Sequence, residues 1–252
     1  MKKNLLFVGL MLALSLSASA QYKGFSFGFK LGPNFNWTGS KTGAAINQGT
    51  KPGFDLGIVA EYYFAENYAL VTGVNVDFLG GKYNFDDMRN IGVDTIDYQL
   101  GTIERQFKTT IYEIPLMLKM VTPQLGNLPL RAYAQVGGAL GYTNSVKVKD
   151  TFTLDNTTIA DDNFVSTKGE YNPFHASLRI GAGAEYALLE TTRVFAGIYY
   201  SHDFLNSISS GAQGITNNYR KYYYDGNVKL GERDPELSVL QNRIAIELGI
   251  LF

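Results

Sequence analysis

Thirteen charged residues fall in the polar phase of an alternating pattern. The basic members are Lys30, Lys119, Arg131, Arg179, Arg193 and Arg243. The acidic members are Asp55, Glu61, Asp77, Glu113, Glu185, Asp203 and Glu247. Alternate residues of a strand project to one side of it. If that side faces the interior of a closed sheet, the charges must be paired or hydrated, because an unpaired buried charge is costly. Near-balance of sign points to an internal network of salt bridges and water. The alternative is a narrow, gated polar path.

A second constellation could do nucleophilic chemistry. His175 and Ser177 form an H-x-S pair, and their spacing puts both on one side of a strand. A hydrolase needs a nucleophile with a base in reach. The phase of the pair is inward, away from lipid chains, and a third carboxylate cannot be placed, since Glu190 falls in the following turn. A polar interior histidine bonded to a carboxylate is the plainer reading. His202 and Asp203 are adjacent, so they point to opposite faces and make a poor dyad. His202 marks a rim position. Asp86-Asp87 and Asp161-Asp162-Asn163 are placed in outer loops and lack the spacing of a calcium loop. Gly181-Ala182-Gly183 does not complete a dinucleotide fingerprint. No catalytic residue, cofactor or metal is expected.

The elements that must position these residues are strands. Eight segments alternate: Gly24–Trp37, Gly53–Phe64, Tyr68–Leu79, Thr109–Val121, Leu130–Asn144, Pro173–Leu188, Arg193–Phe204 and the closing stretch to Phe252. In the last, Ile244, Ile246, Leu248, Ile250 and Phe252 alternate with Arg243, Ala245, Glu247 and Gly249. The connections are about 15, 3, 29, 8, 28, 4 and 33 residues long. Alternating long and short links are the mark of a membrane barrel with short periplasmic turns and long outer loops, and soluble domains seldom need several such loops. Strands of about ten residues suit a bilayer at barrel tilt. The fold class predicted is all-β, an eight-stranded antiparallel up-and-down transmembrane barrel. Pro115 lies mid-strand and has no N–H to donate, so a local bulge or a missing hydrogen bond is expected there.

The amino-terminus supplies an address. Lys2 and Lys3 precede an apolar run, Leu5–Leu16, and Ala18-Ser19-Ala20 is an A-x-A cleavage signal. Residues 1–20 are therefore expected to be a cleaved signal peptide and 21–252 one outer-membrane barrel domain. There is no cysteine, so a closed sheet or a large core, and not disulfides, must hold the exported chain. The net charge of -1 suggests no nucleic-acid partner.

The segments Gly28–Asn36 (GFKLGPNFN), Gly53–Phe64 (GFDLGIVAEYYF), Ala69–Val74 (ALVTGV), Tyr112–Lys119 (YEIPLMLK) and Gly181–Tyr186 (GAGAEY), with the closing strand, resemble the PorT-like outer-membrane barrels of Bacteroidota. The resemblance covers essentially the whole mature chain. It implies an eight-stranded barrel in the cell outer membrane, whose founding relative takes part in type IX secretion. The terminal Phe252 would be read as an assembly signal, making the barrel-assembly machinery and outer-membrane lipid partners. In the last long loop, Tyr219, Arg220, Tyr222, Tyr223 and Tyr224 combine aromatic and cationic groups. Such groups suit a sugar, a lipid headgroup or a protein partner at the surface or in a secretion system; an aromatic girdle is the alternative. The function expected is non-enzymatic, structural or recognition through outer loops. A narrow porin or secretion component, and a lipid hydrolase, are the alternatives.

Overall fold

The computed structural model describes residues 24–41, 45–90, 98–154, 157–160, 163–167, 171–208, 222–225, 228–232 and 237–252. The expected signal peptide, Tyr219, Arg220 and Asp161-Asp162 lie outside the described residues.

Strands β1 (Phe25–Gly39), β3 (Lys51–Ala65), β4 (Tyr68–Asn90), β5 (Tyr98–Val121), β6 (Leu130–Leu154), β9 (Phe174–Ala187), β10 (Arg193–Asp203) and β13 (Leu240–Leu251) form a ring. Each pairs antiparallel with its neighbour, and β13 returns to β1. The ring is sealed past the last strand residue, where Phe252 and Phe27 exchange both backbone hydrogen bonds. The register can be followed round the barrel from Asn36 through Arg243, Ser201, Arg179, Gly137, Met117, Val71 and Glu61 to Ser26. The path rejoins β1 ten residues from where it began. A stagger of that size in eight strands corresponds to a tilt of about 40°.

Burial alternates along the strands, with the apolar side outward. Phe29, Leu31, Ile58, Val74, Ile114, Leu116, Ile198 and Leu248 are exposed, whereas Lys30, Asp55, Glu113, Lys119 and Arg179 are buried. That inversion of an ordinary soluble protein fits a lipid-facing wall. Aromatic rings border it at both ends. Phe25, Phe64, Tyr68 and Tyr186 sit near the short turns; Phe35, Phe54, Phe78, Tyr112, Tyr142 and Phe174 sit at the long-loop end.

Pro115 breaks the β4–β5 ladder without a bulge. Pairs are missing at Gly73 and Val74, and the register is the same on either side. The Thr72 hydroxyl donates to the Pro115 carbonyl at 2.8 Å. A register shift in β5 does occur, between Thr110 and Ile111 against β6.

Much of two long connections is strand. Within the segments expected to be irregular at 80–108 and 145–172, residues 80–90, 98–108 and 145–154 prolong β4, β5 and β6, with β2 (Ile46–Asn47), β7 (Thr157–Ala160) and β8 (Val165–Ser166) pairing at their edges. Asp86 and Asp87 therefore lie in strand β4, and the Thr102 hydroxyl donates to Asp86 at 2.8 Å. From Phe78 to Asn90, β4 spans about 40 Å of chain beyond the outer aromatic ring. The last connection also contains a hairpin, β11 (Tyr222–Asp225) with β12 (Val228–Glu232), so Tyr222, Tyr223 and Tyr224 stand in a strand.

Small residues make room inside the wall. Gly183 and Gly197 are cross-strand partners on β9 and β10. The Tyr133 hydroxyl comes within 2.5 Å of where a Cβ at Gly183 or Gly197 would sit, too close for either. Gly197→Ala is expected to cost about 1–3 kcal/mol by overpacking. In a Tyr133→Phe background, which removes the colliding oxygen, the added cost should shrink. A double-mutant cycle of urea unfolding in lipid vesicles would read this, and strict additivity would refute it.

Candidate functional site

The interior charges gather in two clusters. In the half nearer the short turns, Lys119 Nζ lies 2.6 Å from Glu61 and 2.8 Å from Glu185. Arg193 reaches the same two carboxylates at 3.3 and 3.0 Å, and also donates to the Tyr63 hydroxyl at 2.9 Å. Arg131 is looser, at 3.8 Å from Glu185 and partly exposed. In the other half, Arg243 meets Asp77 at 2.6 Å and both Glu113 oxygens at 2.8 Å. Arg179 bridges Glu113, at 3.3 Å, and Glu247, which also takes Lys30 at 3.0 Å. Asp55 accepts from Asn34, which in turn accepts from Asn36.

An aromatic layer lies between the clusters. The Tyr133 and Tyr199 hydroxyls are 3.0 Å apart. Lys119 sits over the Tyr133 ring at 4.6 Å and Arg179 over the Tyr199 ring at 4.9 Å. Phe195, Met117, Val59, Val71 and Leu251 pack around them. A cation–π contact of this sort, desolvated, adds to the ion pairs on the other side of the same cation.

All thirteen charges named from the sequence are placed inward, and eleven of them enter the ion pairs just described. Asp55 is reached through Asn34, and Asp203 through a histidine. His175 is the polar interior histidine beside carboxylates that the plainer reading expects: its Nδ1 is 3.1 Å from Asp203 and its Nε2 is 3.3 Å from Glu113. Ser177, the cross-strand partner of Asp203, has a buried hydroxyl without a hydrogen-bond partner. Both imidazole nitrogens lie near carboxylates, though Nε2, like the Ser177 hydroxyl, makes no hydrogen bond. His202 points outward and bonds Asn242 at 2.6 Å, beside the stacked pair Trp37 and Tyr200.

Two interior voids lie among the described residues, and both are small. A void of about 20 Å³ is bordered by Lys30, Gln135, Arg179 and Glu247, and another of about 10 Å³ lies near His175 and Gln241. Each is of single-water size.

The outer mouth is covered, which sequence reasoning missed. Tyr83, Phe85, Ile103, Phe107, Val146, Val148 and Phe152, from the prolonged strands, pack with Ala45, Tyr171, Leu237 and Val239 from the other connections. The cover is also hydrogen-bonded: Ser207 N donates to Val239 O at 2.8 Å and Asn172 N to Ser207 O at 2.8 Å. Arg105 forms a two-pronged pair with Asp150 at 2.8 and 2.6 Å within this cluster. Burial works against the Arg105 charge, but the Asp150 hydrogen bonds outweigh it and raise its pKa. Burial pushes the Tyr83 and Tyr171 phenols up, Tyr171 well above the usual range. The signal for this cover was the alternation Tyr83, Phe85 and Ile103, Phe107, legible as strand but read as loop.

Comparison with the curated proteins finds no match. Among solved structures, the chain is similar to Neisserial surface protein A at 12% identity, covering 90% of this chain and 98% of that one, with a TM-score of 0.39. Ail, the attachment invasion locus protein of Yersinia pestis, was solved with the heparin analogue sucrose octasulfate. It matches at 15% identity over 91% of this chain and 99% of that one, with a TM-score of 0.34. The Escherichia coli outer membrane protease OmpT matches at 6% identity over 92% and 97%, with a TM-score of 0.33. The family model described as outer membrane protein beta-barrel domain matches residues 17–210. With its eight-strand ring, its apolar exterior and its charged interior, the chain belongs to the outer membrane protein β-barrel domain family, and its place is the outer membrane.

Proposed function

We propose that this protein is a sealed, non-enzymatic barrel that holds a recognition surface outside the cell. The observation that carries the reading is the outer prolongation of β4, β5 and β6 with its own apolar core. A barrel needed only as a wall has no use for some 40 Å of structured strand beyond the lipid. The hairpin bearing Tyr222, Tyr223 and Tyr224, with the neighbouring Tyr219 and Arg220, is the part best suited by composition to a sugar or protein partner. A secretion-system protein is one such partner, and Phe252 serves the assembly machinery.

The small interior voids among the described residues support this reading against a pore, and the burial of His175 and Ser177 inside the wall, away from lipid chains, supports it against a hydrolase. Purified protein in planar bilayers is expected to show no conductance steps. Steps that vanish when the outer connections are deleted would establish a pore instead. For recognition, a photo-crosslinker at Tyr223 in intact outer membranes should capture one defined partner, lost in a Tyr222→Ala/Tyr224→Ala variant. Capture that is unchanged in that variant would overturn the assignment to the hairpin.

A further inference from the structure

We propose that the barrel binds the phosphate-bearing headgroup of an outer-leaflet glycolipid in a groove on its outer wall. The groove has a volume of about 630 Å³ and opens where β3 parts from β4, at the level of the outer aromatic ring. Phe54 and Phe78, which are cross-strand partners exposed on the lipid-facing wall, border it.

Its charge is the unusual part. Gly80, Lys108 and Lys147 are direct partners across β4, β5 and β6, so two like charges stand opposite one another on adjacent strands. Such a pair is unfavourable unless something of opposite sign lies between. Both side chains are exposed, and neither is in an ion pair among the described residues. The nearby carboxylates are committed elsewhere: Glu104 to Lys82 at 2.7 Å, and Asp150 to Arg105. Gly80 adds no side chain to the row, and Lys51 comes in beside it, its Cβ 3.5 Å from where a Gly80 Cβ would be. Lys51, Lys108 and Lys147 thus line one groove. Phe164 holds Lys108 from above, its ring centre 4.5 Å from Nζ.

The occupant follows from position and sign. Three cations call for a polyanion, and phosphate is the compact dianion that meets point-charge ammonium groups well. An apolar lower border continuous with the membrane wall calls for acyl chains on the same molecule. A free soluble anion would use the lysines but not the aromatic border. A phosphorylated glycolipid with its sugar at the interface uses both.

The test is native mass spectrometry of the full chain in detergent micelles, titrated with bisphosphorylated lipid A and with the same lipid dephosphorylated. The wild type is expected to bind the phosphorylated form at least about tenfold more tightly. A Lys108→Gln/Lys147→Gln variant should lose that preference while keeping its gel-mobility shift on boiling. Wild-type binding of the phosphorylated form alone should weaken as salt is raised, a second readout that needs no variant. Equal binding of the two lipids, equal binding by the variant, or full displacement by inorganic pyrophosphate at the lipid's own concentration would each overturn the proposal.

Discussion

Replacing Glu113 by alanine is expected to cost about 3–5 kcal/mol of barrel stability, the usual result of removing one partner from a buried ionic network. Glu113 takes Arg243 on both oxygens, Arg179 at 3.3 Å and His175 at 3.3 Å, so its loss leaves cations facing one another in the interior. Glu113→Gln keeps the shape and should fare nearly as badly, because charge and not volume is what is missing. Arg131→Ala is the contrast. Its carboxylate partner is 3.8 Å away, its hydrogen bonds go to the carbonyls of Thr122 and Glu66 at 3.0 and 3.4 Å near the short turns, and its side chain is partly in water, so the cost should stay near about 1 kcal/mol. Urea unfolding in lipid vesicles, followed by fluorescence, would check both. The chain's single tryptophan, Trp37, is stacked on Tyr200 outside the network and makes an independent reporter. Equal effects at Glu113 and Arg131 would mean that water, and not ion pairing, satisfies the interior.

Phe152→Ala is expected to act on a different part of the molecule. Phe152 is almost fully buried in the outer cover, and truncating such a side chain costs about 3–5 kcal/mol. The loss should fall on the prolonged strands alone, since the cover and the interior apolar cluster share no residue. The variant should still shift its gel mobility on boiling. On intact cells, trypsin should cut it between Lys82 and Lys108 much faster than the wild type, a sign of local opening. If the outer strands and the barrel instead melt in one transition, the two parts are a single cooperative unit.

Much of the architecture was legible because burial here is inverted but still has period two. Ile244, Ile246 and Leu248 against Arg243, Ala245 and Glu247 announce a strand whichever side faces lipid. The same regularity placed the thirteen charges. Three things were not legible. The strands beyond Leu79, Thr109 and Asn144 were read as loops because their alternation, Tyr83 and Phe85 against Lys82 and Asn84, lies outside the lipid, where the length argument for a spanning strand no longer applies. Which carboxylates His175 meets depended on the strands around β9, since Glu113 comes from β5 and Asp203 from β10. The lysine groove depended on register: Lys108 and Lys147 are far apart in sequence, and only the pairing of β5 with β6 makes them opposite.

The joining of β13 to β1 sets the order in which the barrel can mature. Loop-closure entropy disfavours contacts between residues more than two hundred positions apart, so this contact carries the largest closure cost of the ring. Yet β13 brings Arg243 to Asp77 and Glu113, and Glu247 to Lys30 and Arg179. Without it, Asp77 and Lys30 lack the ion-pair partners they meet in the closed barrel, while Glu113 and Arg179 keep each other. A chain stalled at seven strands is therefore electrostatically incomplete as well as unpaired along two edges. Docking of the final strand therefore closes the backbone ring and completes these ion pairs together, so a chain of seven strands lacks both.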